Sequence, residues 1–250
     1  MGWEIFVQSL RRIFDNLHVA LRISLVLYLI HAVVSIGFGQ SLASEFSMMG
    51  PGQMPDGGSV LAAMASAILR LILFAWIAVS WHRFILLGEV PTSFVPKWRG
   101  GSILRYIVMS VILALLLALL SLVGGFVLGM ILIPIGGMMG ATILGFILVV
   151  IVAIVGYRFS NVLPSIAIGK TLTLSQALQS TKGQGGTLLF LGLVAGAASF
   201  IIQLPSVYSP DPNSLLNQIY VLVVGWFTLM IGVSILTTLY QVFVEGNRPS

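Results

Sequence analysis

YRFSNVLPSIAIGKTLTLSQALQSTKGQGG, Tyr157 to Gly186, is the longest polar interruption in a chain otherwise made of long apolar runs and short connectors. Arg158 stands near its start, Pro164 follows within its first turns, and Lys182 leads into Gly183, Gly185 and Gly186 at its end. Thr173 and Gln176 have the spacing of a capping box, in which a side chain caps the helix start and a Gln at the third helical position reaches back. The spacing predicts a short helix from about Leu174 to Lys182, stopped by Gly183. Leu174, Ala177, Leu178 and Thr181 fall on one face, with Ser175, Gln176, Gln179 and Ser180 on the other, as in a helix lying on a membrane surface.

Composition agrees with that setting. The chain is 58% hydrophobic and 8% charged, against roughly 25% charged residues in a soluble domain. Several apolar runs reach the roughly 20 residues that cross a bilayer. They are continuously apolar rather than alternating, which excludes a β-barrel. The expected fold is all-α: a polytopic transmembrane helical bundle of six spans with cytoplasmic interfacial helices. Residues 1–250 form a single integral membrane domain, since no polar segment is long enough to build its own core. There are no cysteines, hence no disulfide, thiol nucleophile or thiolate metal site. No asparagine sits in an N-glycosylation sequon, which fits a bacterial protein. A net charge of +5 would point to nucleic acid in a soluble protein. Here the basic residues stand at helix ends, where membrane topology and anionic head groups account for them.

The spans are predicted at about 19–38, 60–86, 103–128, 140–156, 187–204 and 215–242. Met1 to His18, with Trp3, Phe6, Leu10 and Phe14 loosely spaced, reads as an interfacial lead-in helix. Ser41-Leu42-Ala43 resembles a cleavage site, but the apolar run before it exceeds the about 7–15 residues of a signal peptide, so the first span is retained. Gln40 to Ser59 reads as a loop, and a nearly uncharged turn is expected around Pro134 and Gly136-Gly137. Arg11, Arg12 and Arg22 flank the first span. Arg83, Lys97, Arg99 and Arg105 lie around the second connector, Arg158, Lys170 and Lys182 around the fourth, and Arg248 closes the chain. The connectors on the other side carry no Lys or Arg, so both termini are expected in the cytoplasm of a bacterial inner-membrane protein. An internal repeat runs through the two basic connectors: Trp81-His82-Arg83-Phe84, Pro91 and Arg99-Gly100-Gly101, then Tyr157-Arg158-Phe159, Pro164 and Lys182-Gly183.

Arg158-Phe159, Leu163-Pro164, Ala177-Leu178 and Thr181-Lys182-Gly183 before an apolar helix resemble a group of bacterial six-span integral membrane proteins. These are stand-alone relatives of the membrane domain found beside some glycerophosphoryl diester phosphodiesterases. The resemblance implies the six-span fold over nearly the whole chain and no chemistry of its own, because the phosphodiesterase domain of such proteins is soluble and has no counterpart here.

Arg70 is the sharpest single candidate, an ionisable residue within a span. It lies about 20 Å from Arg83 along a helix, so the two can share a core of about 30 Å by snorkelling in opposite directions. Alternatively Arg70 binds an anion, since no acidic residue lies within a span to pair with it. His31, at comparable depth, reads as an interhelical hydrogen-bonding group or a second residue of that polar cavity. The carboxylates Glu4, Asp15, Glu45, Asp56, Glu89, Asp211 and Glu245 all fall in predicted loops or tails and make no acid–base pair. No catalytic, cofactor-binding or metal site is expected, and the chain does not read as an enzyme. Glycines four apart, such as Gly125 and Gly129 or Gly192 and Gly196, read as helix-packing positions. Arg83, Phe94, Lys97, Trp98, Arg99, Arg158 and Lys182 form a predicted basic, aromatic cytoplasmic rim for phospholipid head groups or a partner. The leading expectation is a non-enzymatic protein acting by association, as an accessory or assembly subunit or a lipid-organising protein. Its expected partners are membrane phospholipids and other integral membrane subunits, with no nucleic acid. The alternative is a transporter or lipid-handling protein with an intramembrane anion or head-group site around Arg70 and His31.

Overall fold

The structure, a computed structural model, describes residues 1–48, 56–209, 211 and 214–247, with the backbone alone for residues 36–48. Among these residues the fold is all-α, with no strand: α1 (Gly2–Asp15), α2 (Leu17–Met48), α3 (Gly57–Leu87), α4 (Gly100–Ser160), α5 (Val162–Ala167), α6 (Leu174–Ser180), α7 (Gly185–Val207) and α8 (Leu215–Phe243). Five stretches are long and apolar enough to cross a membrane: Leu17–Ser35, Gly57–Leu87, Gly100–Ala167, Gly185–Val207 and Leu215–Phe243. The chain is therefore built as a multi-pass membrane protein. The predicted loop from Gln40 is corrected in part, because α2 continues as helix to Met48. Residues 49–55 and Arg248 lie outside the described residues.

The longest helix is bent back on itself. Gly137, with φ 53° and ψ −128°, interrupts α4 between residues 100–136 and 138–160. Leu117 faces Gly156, Gly125 faces Leu148 and Gly129 faces Leu144, in reverse order along the two arms. A Cβ built on the glycines of these pairs would lie 3.3–3.5 Å from the opposing leucine. The arms therefore pack antiparallel, and small residues let them approach closely. The turn falls in the expected Pro134–Gly137 region, where proline ends the helical hydrogen-bond ladder and glycine takes a backbone conformation closed to other residues.

Two buried clusters hold the bundle. One gathers Ile23, Leu27, Ile77, Trp81, Ile103 and Met230 from α2, α3, α4 and α8. The other joins Ile5 and Phe6 of α1 to Leu188, Leu191, Ile235 and Leu239 of α7 and α8. Polar links tie the same elements: Trp226 Nε1 donates to Ser24 Oγ at 2.7 Å, and Tyr28 Oη donates to the Leu222 carbonyl at 2.9 Å. Hydroxyls of this kind join helices that hydrophobicity alone cannot hold together in lipid.

α1 is docked more firmly than an interfacial lead-in. It buries Gly2, Ile5, Phe6, Ser9 and Ile13, while Trp3 and Phe14 remain exposed. Ser9 Oγ donates to Thr238 Oγ1 at 2.9 Å, Ser234 Oγ donates to the Ser9 carbonyl at 2.9 Å, and Arg12 reaches both Thr238 and Gln241. Burial pulls the Arg12 pKa below its ordinary value, and the charge of Glu245 opposes that shift.

In the opening stretch the predicted capping box is present. Thr173 accepts from the Gln176 N–H at 3.2 Å, and Gln176 Oε1 accepts from the Thr173 N–H at 2.8 Å. The helix is Leu174–Ser180, two residues shorter than predicted, with Ala177 and Thr181 buried and Leu178 exposed. The first half of the stretch is core rather than surface, since α5 buries Val162, Leu163, Pro164, Ser165 and Ala167.

Candidate functional site

The most developed polar site lies on the connector between α3 and α4. Gly88 ends α3 in a left-handed conformation, with its N–H returned to the Phe84 carbonyl at 3.0 Å. This turn brings Glu89 back beside Arg83, whose Nε donates to Oε2 at 2.9 Å and whose Nη2 donates to Oε1. Arg99 Nη2 donates to the same Oε2 at 2.7 Å. Glu89 is thus bridged by two guanidiniums, and the Arg83 bond is of the bidentate kind that fixes orientation as well as charge. Arg83 Nη1 also donates to the Ala167 carbonyl at 2.8 Å, at the C-terminal end of α5, so the two basic connectors meet at one side chain.

Arg22 reaches the connector from α2. Its Nη1 donates to the Pro91 carbonyl at 3.2 Å and its guanidinium lies 5.8 Å from the Phe94 ring centroid, a cation–π distance. Trp98 stands edge-to-face against Trp76 of α3, with centroids 4.7 Å apart. The connector also bounds a pocket of about 490 Å³, lined in part by Ser80, Arg83, Glu89, Lys97 and Arg99. Lys97, which lines it, and Phe94 and Trp98 of the same connector are exposed. Arg83 and Arg99 hold the one carboxylate, Lys97 lines the same pocket and Arg22 bonds nearby to the Pro91 carbonyl. The connector thus carries a surplus of positive charge that suits an anion.

Hydrogen bonds from Arg83, with the charges of Arg83 and Arg99 adding to them, hold the Glu89 carboxyl below the usual carboxylate range, and its partial burial works the other way. A depressed folded value means that the bridge stabilises fully above the ordinary value of 4.5 and fades as pH falls through the lower folded value. In thermal melts against pH, wild type is expected to lose its advantage over Glu89→Gln progressively as pH falls below the ordinary value of 4.5 and through the lower folded value. An advantage that did not shrink on acidification would mean that the carboxylate charge is not what holds the connector. The side chain of Glu89 is 37% exposed, so solvent screening keeps the effect at the scale of a surface pair, about 0.2–1 kcal/mol.

The structure thus brings together Arg83, Phe94, Lys97, Trp98 and Arg99, and adds Glu89 and Arg22 to them. Arg158 and Lys182 lie on the other basic connector. Lys182 is exposed, and the Nε of half-buried Arg158 has no hydrogen-bond partner. The repeat read between Arg83 and Arg158 does not extend to their bonding. Arg70 is exposed on α3, with Nη2 3.5 Å from Ser35 Oγ, which lies 3.1 Å from His31 Nδ1. His31 packs edge-to-face on Phe74 at 4.7 Å.

A second polar node, unassigned from the sequence, is His82, which is completely buried. Its Nδ1 lies 2.8 Å from Thr237 Oγ1 and its Nε2 lies 3.2 Å from Tyr106 Oη. Thr237 Oγ1 already donates to the Val233 carbonyl at 2.9 Å. The threonine must therefore accept from His82 Nδ1–H, which leaves Nε2 to accept from the tyrosine. This relay of donors joins α4, α3 and α8. In the sequence His82 is only one of three scattered histidines, and nothing in its spacing pairs it with Tyr106 or Thr237. Comparison with known proteins finds no family model, no curated protein and no solved structure that matches the chain.

Proposed function

We propose that this chain is a six-span protein of the bacterial inner membrane that acts by association with anionic phospholipid rather than by catalysis, as a lipid-organising protein or a lipid-dependent accessory subunit. The observation that carries this reading is the α3–α4 connector, where Arg83 and Arg99 hold the carboxylate of Glu89 while Lys97 lines the same pocket and Arg22 bonds to the Pro91 carbonyl. Exposed Phe94 and Trp98 beside those cations have the chemistry of a membrane interface, rings toward the acyl boundary and charges toward phosphate. Counting the two arms of α4 separately makes six crossings, which puts both termini on one side. Arg11, Arg12, Arg22, Arg83, Lys97, Arg99, Arg158 and Lys182 then share that side, the cytoplasmic one by the positive-inside rule. The six-span bacterial group that the chain resembles belongs to the same reading.

Native mass spectrometry of the protein in mild detergent tests it. Wild type is expected to retain an anionic phospholipid such as phosphatidylglycerol in preference to phosphatidylcholine. Each basic residue near the surface contributes about 1 kcal/mol, so Lys97→Gln with Arg99→Gln is expected to weaken retention by roughly thirtyfold. Equal retention of both lipids, unchanged in the double variant, would sink the proposal. The transporter alternative has weaker support, because Arg70 is exposed on α3 and neither it nor His31 lines the connector pocket.

A further inference from the structure

Glu89 stands where an anionic ligand of the α3–α4 connector would stand. It is the one carboxylate among the residues lining the connector pocket, and Arg83, Lys97 and Arg99 line the same space. Its oxygens take three N–H bonds from the two guanidiniums: Arg83 Nε and Arg99 Nη2 donate to Oε2, and Arg83 Nη2 donates to Oε1. A phosphodiester offers the same pattern, one negative charge on two free oxygens that match a guanidinium fork. Carboxylate and phosphate therefore compete for one set of donors.

Arg83 does not depend on Glu89 alone for its place. Its Nη1, at the other edge of the guanidinium, donates to the Ala167 carbonyl at 2.8 Å, an anchor that remains when the carboxylate leaves. The Arg83 side chain is 13% exposed against 37% for Glu89, so the carboxylate is the partner with a path to solvent. A pair open to water on one side separates at little cost, because solvent takes over the charge. The turn that carries Glu89 is not packed in place either, since a Cβ built on Gly88 meets nothing within 4 Å. Lys97 is exposed, and neither Lys97 nor Arg22 makes an ion pair among the described residues. Glu89 thus offsets only part of the charge that a phosphate would meet here.

We infer that Glu89 is a built-in competitor, which occupies the phosphate position of the connector in the lipid-free protein and is displaced when the phosphate of an anionic phospholipid binds Arg83 and Arg99. The inference rests on the anionic-lipid reading above and adds to it an occupied resting state. Lipid capture exchanges one ion pair for another, while the bond from Arg83 to Ala167 keeps α3 joined to α5.

The test titrates the full chain in mild detergent with phosphatidylglycerol, read by native mass spectrometry, and melts the same samples. Glu89→Gln is expected to raise retention of the lipid about fivefold, the equivalent of one surface charge. Glu89→Ala, which removes the acceptor as well, is expected to gain at least as much. Asp15→Asn removes an exposed carboxylate outside the pocket and is expected to leave retention unchanged. Glu89→Gln is expected to melt below wild type without lipid, and the gap is expected to close at saturating phosphatidylglycerol, where wild type no longer holds its ion pair. Reduced retention in folded Glu89→Gln and Glu89→Ala would overturn the inference, because a carboxylate that only positions the arginines helps the lipid to bind. An equal gain in Asp15→Asn would overturn it too, as an effect of general charge. Inorganic phosphate that binds Glu89→Gln as tightly as the lipid does would overturn the lipid as the source of the phosphate. A preference for phosphatidylglycerol that Lys97→Gln with Arg99→Gln abolishes but neither Glu89 variant raises would sink the inference and leave the lipid reading standing. Equal retention of phosphatidylglycerol and phosphatidylcholine by wild type and Glu89→Gln alike would sink both.

Discussion

Gly140→Ala is expected to open the α4 hairpin. A Cβ at residue 140 would overlap the Leu132 carbonyl oxygen and lie 2.7 Å from the Leu132 carbonyl carbon. Both are backbone atoms of the facing arm, so no rotamer change relieves the clash and the two arms must separate. The turn has little slack, because Gly137 between them sits at φ 53° and Pro134 interrupts the ladder just before it. Separation also weakens the contacts of Gly125 with Leu148 and of Gly129 with Leu144, which hold the arms together in lipid. The expected cost is at the upper end of the about 1–3 kcal/mol of overpacking. The chain has no cysteine, so a cysteine pair at positions 129 and 144 provides a clean reporter. A short bifunctional thiol reagent should bridge that pair efficiently in the parent and several-fold less in the Gly140→Ala background. Equal cross-linking with an unchanged melting temperature would show that the arms do not meet at this glycine.

Loss of His82 is expected to have the next largest effect. His82→Ala removes a fully buried ring and leaves the Tyr106 hydroxyl without its acceptor and Thr237 without its donor. Cavity and unsatisfied groups together are expected to cost about 3 kcal/mol. Tyr106→Phe deletes only the donor to Nε2, with an expected cost of about 1–2 kcal/mol. The two act in one network, so the double variant should lose less than the sum of the single losses. Thermal unfolding in detergent, followed by tryptophan fluorescence, measures all three. Additive losses, or a Tyr106→Phe variant that melts like wild type, would show that the relay does not couple α3, α4 and α8.

Features that depend on local chemistry were legible without coordinates. Continuous apolar runs require helices once lipid is the solvent, because backbone groups must be satisfied within the segment. Pro134 and Gly137 mark a turn by their own backbone limits. Thr173 and Gln176 make a capping box from groups only three residues apart, and the box is present. The basic, aromatic connector was also legible as a cluster, because its residues lie within seventeen positions of one another.

The misreadings have one physical source. On α1 the eye follows Trp3, Phe6, Leu10 and Phe14, yet the helix buries Gly2, Ile5, Ser9 and Ile13 with Phe6. That face is chosen by close approach and hydroxyl pairing: a Cβ at Gly2 would lie 2.8 Å from the Thr187 carbonyl oxygen, and Ser9 bonds to Thr238. α5 lies within the polar stretch yet is buried, and Ser165 satisfies its hydroxyl locally on the Val162 carbonyl at 2.7 Å. Glu89 is a loop carboxylate as expected, but its pairing with Arg83 depends on the turn at Gly88.

Sequence alone determined that this chain is a helical membrane protein, roughly where its helices run and which connectors are basic, because hydropathy, capping and charge are properties of neighbouring residues. Tertiary structure alone decided that α1 docks against α8, that His82 links three helices and that glycines from α4, α7 and α8 line an apolar groove. Those features depend on which faces meet across more than two hundred residues in the case of Ser9 and Thr238. In lipid that choice is made by small residues and hydroxyl pairs, which leave no periodic mark in a uniformly apolar helix.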